Sequence, residues 1–228
     1  MARGSRERYG ERARLDDCRD AGPGSQAELF VVEGESAAAA VARVRDPALQ
    51  AVLPMQGKPL NAARAPRDKV LGHPLFGPLI EALGTGLEPE YVARSLRYDR
   101  ILLLMDPDAD GIHCGVLLLM FFHRWMPRLI EAGRVELVRP PWGEVTVEGQ
   151  LHHALSDAEL TALADRARAI GAVTLRRYRG LAAIDAGVIR DTCVRPSTRR
   201  VSRVSPADVE AMLGFLDELG PVSLEPPA

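Results

Sequence analysis

Apolar positions in this 228-residue chain fall in short runs set between turn-forming and charged stretches. Glu28-Leu-Phe-Val-Val32 is rich in β-formers and is followed by Gly34, so it predicts a buried strand; Ser36 to Arg43 then predicts a helix with Ser36 at or near its N-cap. Leu49 to Leu53 predicts a second strand, stopped by Pro54. Residues 54–74 are broken by Pro and Gly and carry Lys58, Arg64, Arg67 and Lys69, which predicts a long basic loop of a kind that usually serves function. Leu75 to Leu83 and Glu90 to Leu96 predict short helices. Arg100-Ile-Leu-Leu-Leu-Met105 is the strongest strand of the chain, and a nearly all-apolar strand must be covered on both faces, which favours a parallel sheet flanked by helices. Gly111 to Arg124 predicts a buried helix that is interrupted or restarted at Pro127, and Val135 to Val138 predicts another strand. The alternation over residues 27–141 is that of an α/β domain.

Beyond Pro140-Pro141, Glu144 to Leu151 predicts a hairpin turning at Glu148-Gly149. Ser156-Asp-Ala-Glu159 is a capping box for a helix to about Ile170, Val173 to Tyr178 reads as one more strand, and Ser205-Pro-Ala-Asp opens an amphipathic helix that Gly220-Pro221 ends. The expected organisation is a loosely docked lead-in over residues 1–26, the α/β domain over 27–141, and a small mixed α/β extension over 142–228.

Composition narrows the class. With 46% hydrophobic and 26% charged residues the chain is neither disordered, collagenous nor a coiled coil. Its two Trp, four Tyr and five Phe leave the core to Leu, Val, Ile and Ala. The longest pure apolar run, Val116 to Phe122, is too short to span a bilayer, and the Arg/Glu-mixed N-terminus lacks a signal-peptide core, so a cytoplasmic protein without membrane contact is expected. Cys18, Cys114 and Cys193 are widely spaced and odd in number, which predicts reduced thiols. The net charge of −2 hides an asymmetry: Thr174 to Arg203 holds eight Arg against two Asp, whereas Ser205 to Ala228 has five acids and no base. Such a basic segment suits either a nucleic-acid phosphate backbone or a solvated surface. The Lys58 to Lys69 loop is basic as well, which makes Lys58, Arg64, Lys69, Arg177, Arg179, Arg199 and Arg200 candidate phosphate contacts.

The chemistry concentrates at Asp106-Pro-Asp108-Ala-Asp110-Gly111, placed between the strongest strand and a helix. In a doubly wound sheet that is the carboxyl edge, where ligands bind. Three carboxylates on one tight turn repel one another unless a cation sits among them, and Glu33, ending another parallel strand, should open onto the same edge. Oxygen-only ligation suits Mg²⁺, with Mn²⁺ or Ca²⁺ as substitutes. A calcium EF-hand loop is excluded because its twelfth position is Leu117, Pro107 lies inside it, and a strand precedes it. A nucleophile elbow at Ser36 leaves the Asp cluster unexplained. Acids serving only to cap a helix would need one or two carboxylates rather than four. His113 reads as a hydrogen-bonded helix-start residue and His152-His153 as surface.

Several blocks resemble one family. Ala27-Glu-Leu-Phe-Val-Val-Glu-Gly-Glu-Ser-Ala37, Leu53-Pro-Met-Gln-Gly-Lys-Pro-Leu-Asn61, Leu79-Ile-Glu-Ala-Leu-Gly84, Leu96-Arg-Tyr98, Met105-Asp-Pro-Asp-Ala-Asp-Gly-Ile-His113 and Arg139-Pro-Pro141 resemble the Toprim domain of the bacterial DNA gyrase B subunit and its topoisomerase IV relative. Arg177-Tyr-Arg-Gly-Leu181 and Arg190-Asp-Thr-Cys-Val-Arg-Pro-Ser-Thr-Arg-Arg200 resemble that subunit's C-terminal tail. The resemblance implies a Rossmann-like parallel sheet, Glu33 as catalytic acid and metal ligand, Asp106 and Asp108 as principal Mg²⁺ ligands and catalytic residues, Asp110 as an auxiliary ligand, and Lys58 approaching DNA phosphate. It also implies two partners: double-stranded DNA, faced by the two basic segments, and a gyrase A-like breakage-reunion subunit whose tyrosine attacks the phosphodiester.

The chain departs from that family pattern at Glu35, Ala38, Ala39, Gln56, Gly115 and Ala182-Ala-Ile184. No nucleotide-binding motif occurs in the chain, so the ATPase half that precedes Toprim in the family is expected to be absent and, if needed, supplied by a separate protein. Three functions follow: a Toprim subunit of a type IIA DNA topoisomerase acting with a tyrosine subunit, a regulatory protein that docks on that subunit without catalysis, and a stand-alone Toprim nuclease.

Overall fold

The computed structural model describes residues 14–218. The strands are β1 (Glu28–Glu33), β2 (Gln50–Met55), β3 (Arg100–Leu104), β4 (Val135–Val138), β5 (Gly143–Val147), β6 (Gln150–Ala154), β7 (Val173–Arg177) and β8 (Val201–Arg203). The helices are α1 (Gly34–Ala42), α2 (Arg67–Leu71), α3 (Phe76–Leu83), α4 (Ala109–Trp125), α5 (Pro127–Glu131), α6 (Asp157–Arg168), α7 (Ala186–Ile189) and α8 (Pro206–Glu218). Five strands form the main sheet in the order β2-β1-β3-β4-β8; β1 to β4 are parallel and β8 is antiparallel to β4. The expected α/β class therefore holds, with a parallel sheet flanked by helices and a second, antiparallel sheet, β6-β5-β7.

Side chains alternate across a strand, and both faces of the sheet are dry. Leu29, Val31, Leu53, Ile101 and Leu103 pack against α3, α4 and α5 on one face. On the other, Phe30, Val32, Leu102 and Leu104 lie under Ala37 and Val41 of α1 and under Tyr178, Leu181, Ile184, Ile189 and Val194. The C-terminal segment thus covers the second face and adds a strand to the sheet edge.

Local expectations differ from the structure in several places, among them a short helix, α2, inside residues 54–74, which read as loop. Helix α1 starts at Gly34, because β1 runs directly into it; its N-cap is Glu33, whose side chain makes no capping bond, and Ser36 is an exposed residue inside the helix. Strand β2 continues through Pro54 to Met55. Val52 exchanges backbone bonds with Asp16 on the outer side of the strand, so Pro54, two residues on, turns its missing N–H to that same edge and costs no ladder bond. Residues 90–96 form only a 3₁₀ turn at Ala93–Ser95, since Val92 N–H donates to Thr85 instead of continuing a helix. The described part of the expected loose lead-in is anchored: Asp17 accepts bonds from Tyr98 (2.6 Å) and Arg97 (2.5 Å), and Cys18 is buried. The expected helix end at Gly220-Pro221 lies outside the described residues. Among the described residues no helix is long and apolar enough to cross a membrane.

Candidate metal and DNA-backbone site

Adjacent parallel strands β1 and β3 deliver Glu33 and Asp106 to the same sheet edge, the register pairing Val32 with Leu104. Asp106 opens the turn that leads into α4, and the turn is tight. A Cβ at Gly111 would lie 2.1 Å from the Asp106 carbonyl oxygen, so only glycine lets the helix start this close to the strand end.

Each acid has a distinct environment. Asp106 accepts the Leu181 N–H on Oδ1 at 2.8 Å; burial raises its pKa, the N–H bond opposes that rise, and Asp108 adds to it. Asp108 is the N-cap of α4 and accepts the Gly111 N–H at 2.8 Å, the satisfied-cap role. Asp110 pairs with Lys58 Nζ at 3.0 Å, and both are exposed. Glu33 differs from all three: its Oε2 is buried with no hydrogen-bond partner, and its Oε1 lies 4.0 Å from Cys114 Sγ. Burial pushes the Glu33 pKa upward, Asp106, Asp108 and Asp110 push it further, and only Lys58 opposes them. The Cys114 thiol, pushed up to about 11 chiefly by burial and next by Glu33, stays protonated.

A cavity of about 330 Å³ opens between Glu33, Lys58, Asp110 and Cys114. The carboxylates of Glu33 and Asp110, one with a buried oxygen that has no partner, are donors that suit a hard divalent cation, while Lys58 and Cys114 share the cavity and Asp106 and Asp108 do not line it. The four acids are electrostatic neighbours, yet the aspartates are each turned to a donor of their own. Among the described residues no three His, Cys, Asp or Glu side chains form a group placed to hold a metal ion.

Lys58 also lines a groove of about 610 Å³ on the other side of the Gln56-Gly57-Lys58 turn, with Asn61, Arg64 and Lys69. The loop is braced by Trp125, whose indole N–H donates to the Ala62 carbonyl at 2.9 Å. Two departures from the family pattern meet here, as the Gln56 amide donates to Glu35 at 2.6 Å.

The basic tail does not form one surface. Arg199 is 8% exposed and forks onto the Glu28 carboxylate at 2.5 and 2.6 Å, with Gln50 bonded to the same carboxylate at 2.8 Å. Its placement among DNA-facing residues is corrected, because burying Glu28 under the tail demands a cation there. Arg177 pairs with Asp157 at 2.6 Å, Arg190 and Arg195 pair with Asp191, and Arg203 pairs with Glu136. Arg179 and Arg200 are exposed. The Arg200 carbonyl accepts the Arg139 N–H, which places both arginines past the carboxyl end of β4. The main sheet therefore carries basic side chains at both ends of its carboxyl edge and acids in the middle. Sequence reading missed the contact of Gly180-Leu181 with Asp106; its only local signal was a glycine after Tyr178-Arg179.

Comparison with known proteins agrees with this architecture. The Toprim domain family matches residues 28–140. The chain is 35% identical over 204 residues to the DNA gyrase B subunit of Treponema denticola, covering 89% of this chain and 32% of that protein. It is 36% identical over 183 residues to the gyrase B subunit of Thermotoga maritima (80% and 29%) and 37% identical over 204 residues to that of Mycolicibacterium smegmatis (87% and 30%). The chain spans about a third of the length of the curated relatives it matches.

Proposed function

Because residues 28–140 belong to the Toprim family and most of the chain is similar to one third of the gyrase B subunit, we propose that it supplies the acids and the cation of a type IIA DNA breakage and rejoining reaction. The nucleophile comes from a partner of the gyrase A kind. The observation that carries this reading is the buried, unpartnered Glu33 oxygen amid three aspartates, one lysine away from a basic groove.

In this reading Glu33, Asp106 and Asp108 hold Mg²⁺, for which Mn²⁺ or Ca²⁺ can substitute. An ion held there would supply Lewis-acid stabilisation to the reacting phosphodiester. Glu33 is also the acid that the family resemblance implies for proton exchange with the departing oxygen; a bound ion would offset the upward pull that burial and the three aspartates exert on its pKa. Lys58, Arg64 and Lys69 on one flank, and Arg177, Arg179 and Arg200 on the other, hold the duplex by its phosphates. With Lys58 engaged on a phosphate instead of on Asp110, the Asp110 carboxylate would be left to serve as the auxiliary ligand.

The chain alone is expected neither to supercoil nor to relax plasmid DNA. Mixed with a gyrase A-like subunit it is expected to support Mg²⁺-dependent cleavage that Glu33→Ala abolishes. A second reading, a regulatory protein docking on the gyrase A-like subunit without catalysis, is favoured by the aspartates each being engaged already. It requires inhibition of the intact enzyme that Glu33→Ala leaves unchanged. Metal-dependent nicking by the chain alone would select a nuclease instead.

A further inference from the structure

We infer that the Gly180-Leu181 pair is a positioning element for Asp106, fixing the orientation of the carboxylate from the far side of the chain. The inference rests on the metal-site reading above and deepens it. Leu181 N–H donates to Asp106 Oδ1 at 2.8 Å, and the backbone of Gly180 lies against the other oxygen: a Cβ built there would stand 2.8 Å from Oδ2 and 3.3 Å from Cγ. Gly180 has φ +146° and ψ 164°, a conformation essentially closed to residues with a side chain. Two independent constraints, close approach and backbone angle, thus demand glycine at the one point where the tail meets the acid.

The pair is itself held on both sides. Before it, Tyr178 N–H donates to the Trp142 carbonyl at 3.0 Å and the Tyr178 hydroxyl donates to Glu144, which ties the turn to the small sheet. After it, Ala183 and Ile184 N–H close on the carbonyls of Gly180 and Leu181, and the Arg176 guanidinium donates to the Ala183 carbonyl at 2.8 Å. The Leu181 side chain is fully buried in the second-face core. A donor braced this way cannot follow a wandering carboxylate, so the carboxylate must follow it. Hydrogen bonds of this kind orient carboxylates that ligate metals, and losing them typically lowers metal affinity about 10- to 100-fold.

Manganese(II) binding to the full chain, read by electron paramagnetic resonance and by calorimetry, tests the role. Gly180→Ala is expected to weaken Mn²⁺ binding about 10- to 100-fold. Replacing the Leu181 amide by a backbone ester removes the N–H and keeps the side chain; it is expected to weaken binding about 10-fold even if Gly180→Ala fails to fold. Ile189→Ala, which removes packing from the same core without touching Asp106, is expected to lower the melting temperature and leave the isotherm unchanged. Wild-type Mn²⁺ affinity in the ester variant, with binding lost in Asp106→Asn, would overturn the positioning role and leave the metal site standing. An isotherm unchanged in Asp106→Asn would overturn both.

Discussion

Glu33 and Asp108 are both carboxylates at helix N-caps, and the structure gives them different work. Asp108 commits an oxygen to the Gly111 N–H, while the Glu33 side chain caps nothing and keeps a buried oxygen without a partner. A carboxylate so placed costs stability when ionised. Its pKa is raised from 4.5, so the folded chain binds the proton more tightly than the unfolded one, and stability falls as pH climbs from about 4.5 through the folded value. In chelator, Glu33→Gln is therefore expected to melt above the wild type near pH 7.5 and to show no such gain at about pH 4. A melting series across that window checks it; a gain that persists unchanged at the acid end would mean the effect is not ionisation.

The elements decide which charges are available to a ligand. The loop after β2 presents Lys58 and Arg64, and α2 presents Lys69, on one groove, so replacing all three by Ala should weaken duplex binding and flatten its salt dependence by about 0.9 for each phosphate no longer neutralised. Fluorescence anisotropy at several salt concentrations measures that slope, and an unchanged slope removes the groove from the DNA surface. Arg199 belongs to another class of interaction. Its removal leaves Glu28 buried without a cation, so Arg199→Ala is expected to cost about 3–5 kcal/mol in urea unfolding, whereas Arg200→Ala, at an exposed position next to it, should cost little. Equal effects of the two would contradict the burial.

Across the whole molecule the C-terminal segment is part of the fold that carries the site. It buries Phe30, Val32, Leu102 and Leu104 and lends β8 to the sheet, so a chain ended at residue 141 would leave an apolar sheet face in water. That truncation is expected to bind a hydrophobic dye such as ANS and to lose its cooperative melt, which calorimetry would reveal. Cooperative unfolding of residues 14–141 at the full-length temperature would show instead that the tail is an addition to a self-sufficient core.

Strands β1 and β3, helix α4, the Glu148-Gly149 hairpin turn and the Ser156 cap were legible in the sequence because each is written in neighbouring residues: an apolar run, a turn pair, a side chain reaching three residues ahead. The Asp106 turn was legible for the same reason, since strand, acids and helix are contiguous. Tertiary structure alone decided the anchoring of Asp17 by Arg97 and Tyr98, the burial of Arg199 on Glu28, 171 residues away, and the hold of Leu181 on Asp106, 75 residues away. Periodicity carries no information over such separations, because it reports which face a side chain lies on and not what folds onto that face. Charge counted along the tail likewise overstated its free cations, for each arginine's fate depends on the carboxylate that packing brings opposite it.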